Sequence, residues 1–167
     1  MAITYINPEI NKAMWGPGPW DTEPDKISWT DEATGLPCLI VRNSLGSLCG
    51  YVAVEPGHPM HGKDYDEVPV TVHGALTFAG SCNESGPVEQ SVCHVPEPGK
   101  PGDVFWFGFD CAHSSDVSPV MLACGLIPSY GLNLGGLPRA TYKPVGYVWG
   151  ECVGLAGQLA AMVPTGF

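Results

Sequence analysis

The chain has 167 residues, 44% of them hydrophobic, which suits one domain of ordinary size whose core needs neither metal nor disulfide as a staple. Seventeen acidic against seven basic residues give a formal net charge of −10, so a long polyanion is repelled and duplex nucleic acid is excluded as the expected partner. No apolar run is long and unbroken enough to span a bilayer, and MAITYINPEI has no basic region leading into an apolar stretch, so neither a membrane partner nor a secretion signal is expected.

Residues 1–30 read as a Trp/Pro-rich N-terminal arm: Trp15, Trp20 and Trp29 stand among prolines and glycines that cannot sustain a helix, and aromatic burial favours an arm wrapped on the body. Residues 31–167 read as a single α+β domain. CLIVR at 38–42 and GYVAV at 50–54, separated by NSLGSLC, predict an antiparallel hairpin. EPGHPMHGKDYDE is a loop carrying His58 and His61, and a strand is expected over 69–73.

Residues 79–103 are turn-rich, and VFWFGF at 104–109 predicts a central strand with Trp106 on the face opposite Phe105, Phe107 and Phe109. The stretch 114–140 takes no firm assignment. Val145, Val148, Trp149, Cys152, Leu155, Ala156, Leu159 and Met162 recur at helical steps, with Pro144 suited to the first turn and Pro164 to the stop. Gly146, Gly150 and Gly154 share a helix face on which a close backbone approach is expected. Together these elements predict a mostly antiparallel sheet with a C-terminal helix packed on it. The seven cysteines form no CxxC pair and are expected to be reduced, mostly buried thiols.

His73 in VTVHGALTF and His113 in FDCAHSSDV each close a predicted strand and are each followed by hydroxyl residues. Imidazole titrates near neutrality, so a pair at strand ends can place an acid and a base in one cleft. In a metal-independent phosphodiester hydrolysis His73 and His113 would be that pair. Thr77, Ser114 and Ser115 would donate to the phosphoryl charge, and Asp110 or Asp116 would orient an imidazole. The spacing resembles the histidine-plus-hydroxyl elements of two-histidine phosphoesterases, with Ser115 at the matching offset after His113 but Ala75 at that offset after His73. The same histidines also suit ordinary strand capping.

No cofactor is expected. Zinc is the competing reading, from Cys111 with His113, Cys93 with His94, and Cys82 with His73, with His58 and His61 as additional ligands, although no segment shows the repeated ligand spacing of zinc motifs. There is no GxxxxGK[ST], no GxGxxG between strand and helix, and no GxSxG, which removes P-loop, dinucleotide and nucleophile-elbow chemistry. For a flat, phosphate-bearing ligand the binding candidates are Arg42, Tyr51, His58, His61, Lys63 and Trp106, with Arg139 as a further cation.

GPWDTEPDKISW, LPCLIVRN, LCGYVAVEPGHPMHGKDYD, VHGALTFAG, WFGFDCAHSSD and YVWGECVGLAGQL resemble a family of small proteins encoded by tailed bacteriophages. The resemblance covers most of the chain and implies a phage protein acting in the cytoplasm of the infected bacterial host, with no residue roles attached. By analogy with small phage proteins that handle nucleotide immune signals, an anti-defence role is expected. Three readings stay open: a hydrolase of a nucleotide-like phosphodiester, a non-catalytic sponge that sequesters such a ligand in a homo-oligomer, and a virion or partner-binding protein.

Overall fold

The computed structural model describes residues 2–125 and 140–164. Six strands form one antiparallel sheet: β1 (Ile3–Tyr5), β2 (Lys26–Thr30), β3 (Pro37–Arg42), β4 (Leu48–Val54), β5 (Phe78–Ser81) and β6 (Phe105–Asp110), in the order β1-β2-β3-β4-β6-β5. A short helix α1 (Pro119–Ala123) and a long C-terminal helix α2 (Val145–Ala160) complete a single α+β domain, with α2 packed on β3 and β4. The expected hairpin is present, pairing Leu39 with Tyr51, and β6 lies beside β4 with Val52 opposite Phe107.

Period-two alternation sorts the side chains onto two faces. Ile40, Val52, Phe107 and Phe109 pack against Val148, Cys152, Leu155 and Leu159 of α2. Gly50 makes this contact close, because a Cβ there would stand 2.4 Å from the Phe109 ring and 2.7 Å from Cys152 Sγ. On the other face Leu39, Val41, Ala53 and Trp106 are covered by Val92, Val104 and Cys82.

That second face is closed by an irregular cover between β5 and β6. Lys26, fully buried on β2, donates from Nζ to the carbonyls of Val88 at 2.7 Å, Ser91 at 2.8 Å and Cys93 at 2.9 Å. Burial pulls its pKa down to about 8, against the opposing pull of Glu97 and Glu89. A disulfide joins Cys82, at the start of this cover, to Cys93 in its middle, which corrects the expectation that every cysteine is a free thiol. Cys38, Cys49, Cys111 and Cys152 are buried free thiols and Cys124 is exposed.

The N-terminal segment contributes β1 and β2 to the sheet itself. Trp20 is buried edge-on to Tyr142, and Trp29 stacks on Trp149 of α2 with ring centroids 3.6 Å apart. Residues 69–73 do not form the expected strand. Their polar backbone is instead taken up by α2: Gln158 Oε1 accepts from Thr71 N at 2.7 Å, Gln158 Nε2 donates to Thr71 O at 2.7 Å, and Glu151 Oε1 accepts from His73 N at 2.7 Å. Helix side chains thus do what a neighbouring strand would have done. The glycine face of α2 also departs from expectation, since a Cβ at Gly146, Gly150 or Gly154 would meet nothing within 4 Å. Among the described residues no helix is long and apolar enough to cross a membrane.

Candidate functional site

The segment carrying His73 lies along α2 and is anchored by Val72 and Leu76, whose side chains enter the core. Between them the chain turns tightly: Ala75 N donates to Val72 O at 2.9 Å, with φ of 65° at Gly74 and 69° at Ala75. The segment carrying His113 leaves β6 and turns at once, Asp116 N donating to His113 O at 2.9 Å. Cys111 and Val117, both buried, anchor the two sides of this turn. The two turns face each other, and the His73 and His113 ring centroids are 5.5 Å apart.

Asp116 is the hub. Its side chain is fully buried, yet its Oδ2 accepts from His73 Nε2 at 2.9 Å, from His113 Nδ1 at 3.2 Å and from His113 backbone N at 3.0 Å. Its Oδ1 lies 2.8 Å from Lys143 Nζ. Burial alone would raise the Asp116 pKa, but the hydrogen bonds from His73, Lys143 and His113 overcome it and hold the carboxyl below its usual value. An ionised carboxylate only accepts, so the facing imidazole nitrogens carry the protons. In the neutral tautomers this leaves His73 Nδ1 to accept from the Tyr147 hydroxyl at 2.8 Å and leaves the His113 Nε2 lone pair available.

Around this hub stand two further carboxylates, Asp110 and Glu151, against one lysine, Lys143. Asp110 Oδ1 is 3.6 Å from His113 Nδ1, and Asp110 Oδ2 accepts from Thr77 Oγ1 at 3.2 Å. Glu151 holds the His73 backbone. Lys143 is fully engaged, since besides Asp116 it donates to Thr141 O at 3.0 Å, Thr141 Oγ1 at 2.6 Å and Ser115 O at 3.3 Å. Burial and the charge of Glu151 raise the Tyr147 pKa.

The structure therefore brings His73, His113, Asp116, Asp110 and Thr77 to one place. Ser115 is exposed beside them and supplies its carbonyl to Lys143. Three participants were not singled out from sequence: Lys143, Tyr147 and Glu151. Tyr147 and Glu151 lie four residues apart on the polar side of the helix that the apolar stripe predicts, and that spacing was the available signal.

The ligand-binding candidates are not gathered at this centre. Arg42 is buried, its Nε donating to Asp25 at 3.0 Å and its other nitrogens to Tyr142 Oη at 2.7 Å and Glu23 at 3.2 Å. It borders a groove of about 740 Å³ with Trp15, Asn7, Asn43 and Gln90, which the two central histidines do not line. Trp106 is fully buried with its indole N–H on Cys82 Sγ, and Tyr51 packs edge-on against Phe78. His58 bridges Leu159 O and Met60 N, and His61 lies on Asp103 O. Lys63 is exposed on the same loop. Arg139 lies outside the described residues.

The zinc pairings of Cys82 with His73 and of Cys93 with His94 are not formed, because Cys82 and Cys93 are bonded to each other and buried His94 donates to Pro101 O at 2.6 Å, while Cys111 is a buried free thiol and His113 is grouped with His73 and Asp116. Compared with known protein families, with curated proteins and with solved structures, the chain matches none.

Proposed function

We propose that the protein is a hydrolase of a nucleotide-like phosphodiester and that the His73–Asp116–His113 array is its reactive centre. The observation that carries this reading is that two imidazoles from separate turns share one buried carboxylate oxygen while His113 Nε2 stays available at a third-exposed side chain. A carboxylate on Nδ1–H fixes the tautomer in which Nε2 is a base.

His113 Nε2 takes a proton from water, the resulting hydroxide oxygen bonds to phosphorus, and the bond from phosphorus to the leaving oxygen breaks with its electron pair. The proton gained by His113 then passes to that oxygen, giving a monoester and an alcohol. His73 has both nitrogens engaged, so its part is to hold Asp116 and to link the centre to the exposed Tyr147 hydroxyl. The expected setting is the cytoplasm of a phage-infected bacterium, with a nucleotide immune signal as substrate.

A second reading, sequestration, draws on the groove beside Trp15, whose indole and neighbouring amides suit the face and edges of a base. One experiment separates the two. The purified protein is incubated with a panel of cyclic nucleotides, products are separated by chromatography, and the remainder is analysed after heat release. Cleavage that disappears in His113→Gln supports hydrolysis, intact ligand released on heating supports the sponge, and neither result removes both.

A further inference from the structure

Phosphoryl transfer needs positive charge where the phosphate oxygens gather, and the centre as built has little to give. Lys143 is already shared among Asp116, Thr141 and Ser115, and Asp110, Asp116 and Glu151 leave the immediate surroundings acidic. Such a field attracts a cation before it attracts a phosphodiester.

The donor atoms are arranged to hold one. One ring nitrogen of His73, one of His113 and an Asp116 oxygen all lie within 4.8 Å of one another. Two of the edges, from Asp116 Oδ2 to His73 Nε2 and to His113 Nδ1, measure 2.9 Å and 3.2 Å. Ligands 2.0–2.1 Å from a zinc ion are separated by about 3.3 Å in a tetrahedron, so these two edges need to open by only a few tenths of an ångström. The surroundings suit the same use. The ring nitrogen of His73 that faces away from the centre meets Tyr147 Oη at 2.8 Å, and Lys143 holds the opposite oxygen of the carboxylate. Metal-bound histidines characteristically have their outer nitrogen fixed in this way.

We infer that His73 Nε2, His113 Nδ1 and Asp116 Oδ2 form a three-ligand site for a first-row divalent ion of the zinc class, with its remaining positions open to water and substrate. Two imidazoles with one carboxylate favour Zn²⁺ or Co²⁺ over Mg²⁺ or Ca²⁺, which prefer all-oxygen shells. On binding, the two protons that now face the carboxylate move to the outer ring nitrogens, so that His73 Nδ1–H donates to Tyr147 Oη and His113 carries its proton on Nε2.

The inference rests on the proposed hydrolysis only for the task given to the ion. There it takes over from the imidazoles: a water bound to it loses a proton to Asp110, the hydroxide oxygen bonds to phosphorus, and the leaving oxygen departs with the electron pair of its broken bond and recovers the proton from Asp110.

The test begins with the full chain stripped by chelator, desalted, and titrated with Co²⁺ followed by visible absorption, and with Zn²⁺ followed by calorimetry. One equivalent is expected to bind in the micromolar range or tighter, with Co²⁺ bands of a four- or five-coordinate nitrogen–oxygen site. His113→Gln should lose that binding, Tyr147→Phe should weaken it about tenfold, and His61→Gln, outside the triad, should leave it unchanged. Asp116→Asn is the stricter variant but removes a buried hub, so folding is checked by circular dichroism and His113→Gln carries the decision. Binding by wild type no tighter than by His113→Gln overturns the site. The two proposals fail separately: an ion bound as described with no phosphodiester cleaved leaves the site standing and removes hydrolysis, whereas full turnover by the chelated protein leaves hydrolysis standing and overturns the task given to the ion, the titrations alone deciding the site.

Discussion

The imidazole of His113 occupies the space that a side chain at Gly74 would need: a Cβ built there would stand 2.1 Å from His113 Cε1. The two turns of the centre therefore fit only because residue 74 has no side chain. Its backbone, at φ 65°, adds an independent reason for glycine.

Gly74→Ala is accordingly expected to lower stability by about 1–3 kcal/mol and to push the His113 ring off Asp116. Urea unfolding measures the first effect, and the histidine side-chain resonances in NMR report the second. Unchanged resonances together with unchanged stability would contradict the packing described.

The charge on Asp116 links stability to acidity. Its folded pKa lies below the ordinary carboxyl value, so its contribution is fully present above that ordinary value and is lost as pH falls through it toward the folded pKa. Thermal melts taken downward from pH 5 should show wild type losing stability more steeply than Asp116→Asn. Parallel curves for the two proteins would mean that the hub contributes nothing through its charge.

The fully buried Lys26 ammonium closes three backbone carbonyls. Lys26→Met keeps the length of the stem but leaves the carbonyls of Val88, Ser91 and Cys93 without their donor, and a loss on the order of 2–4 kcal/mol is expected. Hydrogen exchange should quicken across 82–103 in this variant. A variant as stable as wild type would show that burying the ammonium costs as much as its hydrogen bonds return.

The Cys82–Cys93 bond closes a short loop, for which chain-entropy reasoning gives about 2–3 kcal/mol of stabilisation. The double variant Cys82→Ala, Cys93→Ala should unfold at correspondingly lower urea, and reductant should shift wild type but not the variant. A wild-type midpoint that ignores reductant would remove the cross-link from the account.

The parts of the fold that were legible in the sequence are those where local pattern and final environment agree. CLIVR, GYVAV and VFWFGF are β-rich runs with partners on both sides, and the apolar stripe from Val145 to Leu159 faces the sheet as its spacing requires. The strand expected over 69–73 fails because Gln158 and Glu151, remote in sequence, supply the hydrogen bonds of that segment. Likewise β1, β2 and β5 are short, and their assignment depends on neighbours that no local window contains.

The centre follows the same division. His73, His113 and the two aspartates stand out by residue type, whereas Lys143 and Tyr147 join only once α2 is docked. Arg42 and Trp106 look like ligand contacts in the sequence, but tertiary partners claim both of them.

The parallel indoles of Trp29 and Trp149 come from the second strand and the last helix, regions far apart along the chain. Chromophores so close share their electronic transitions, so their excitonic circular-dichroism couplet is a label-free optical gauge of whether the C-terminal helix is seated on the sheet. Because the same helix carries Tyr147 and Glu151, that signal can be followed during ligand titrations to learn whether the reactive centre and the helix come apart together or separately.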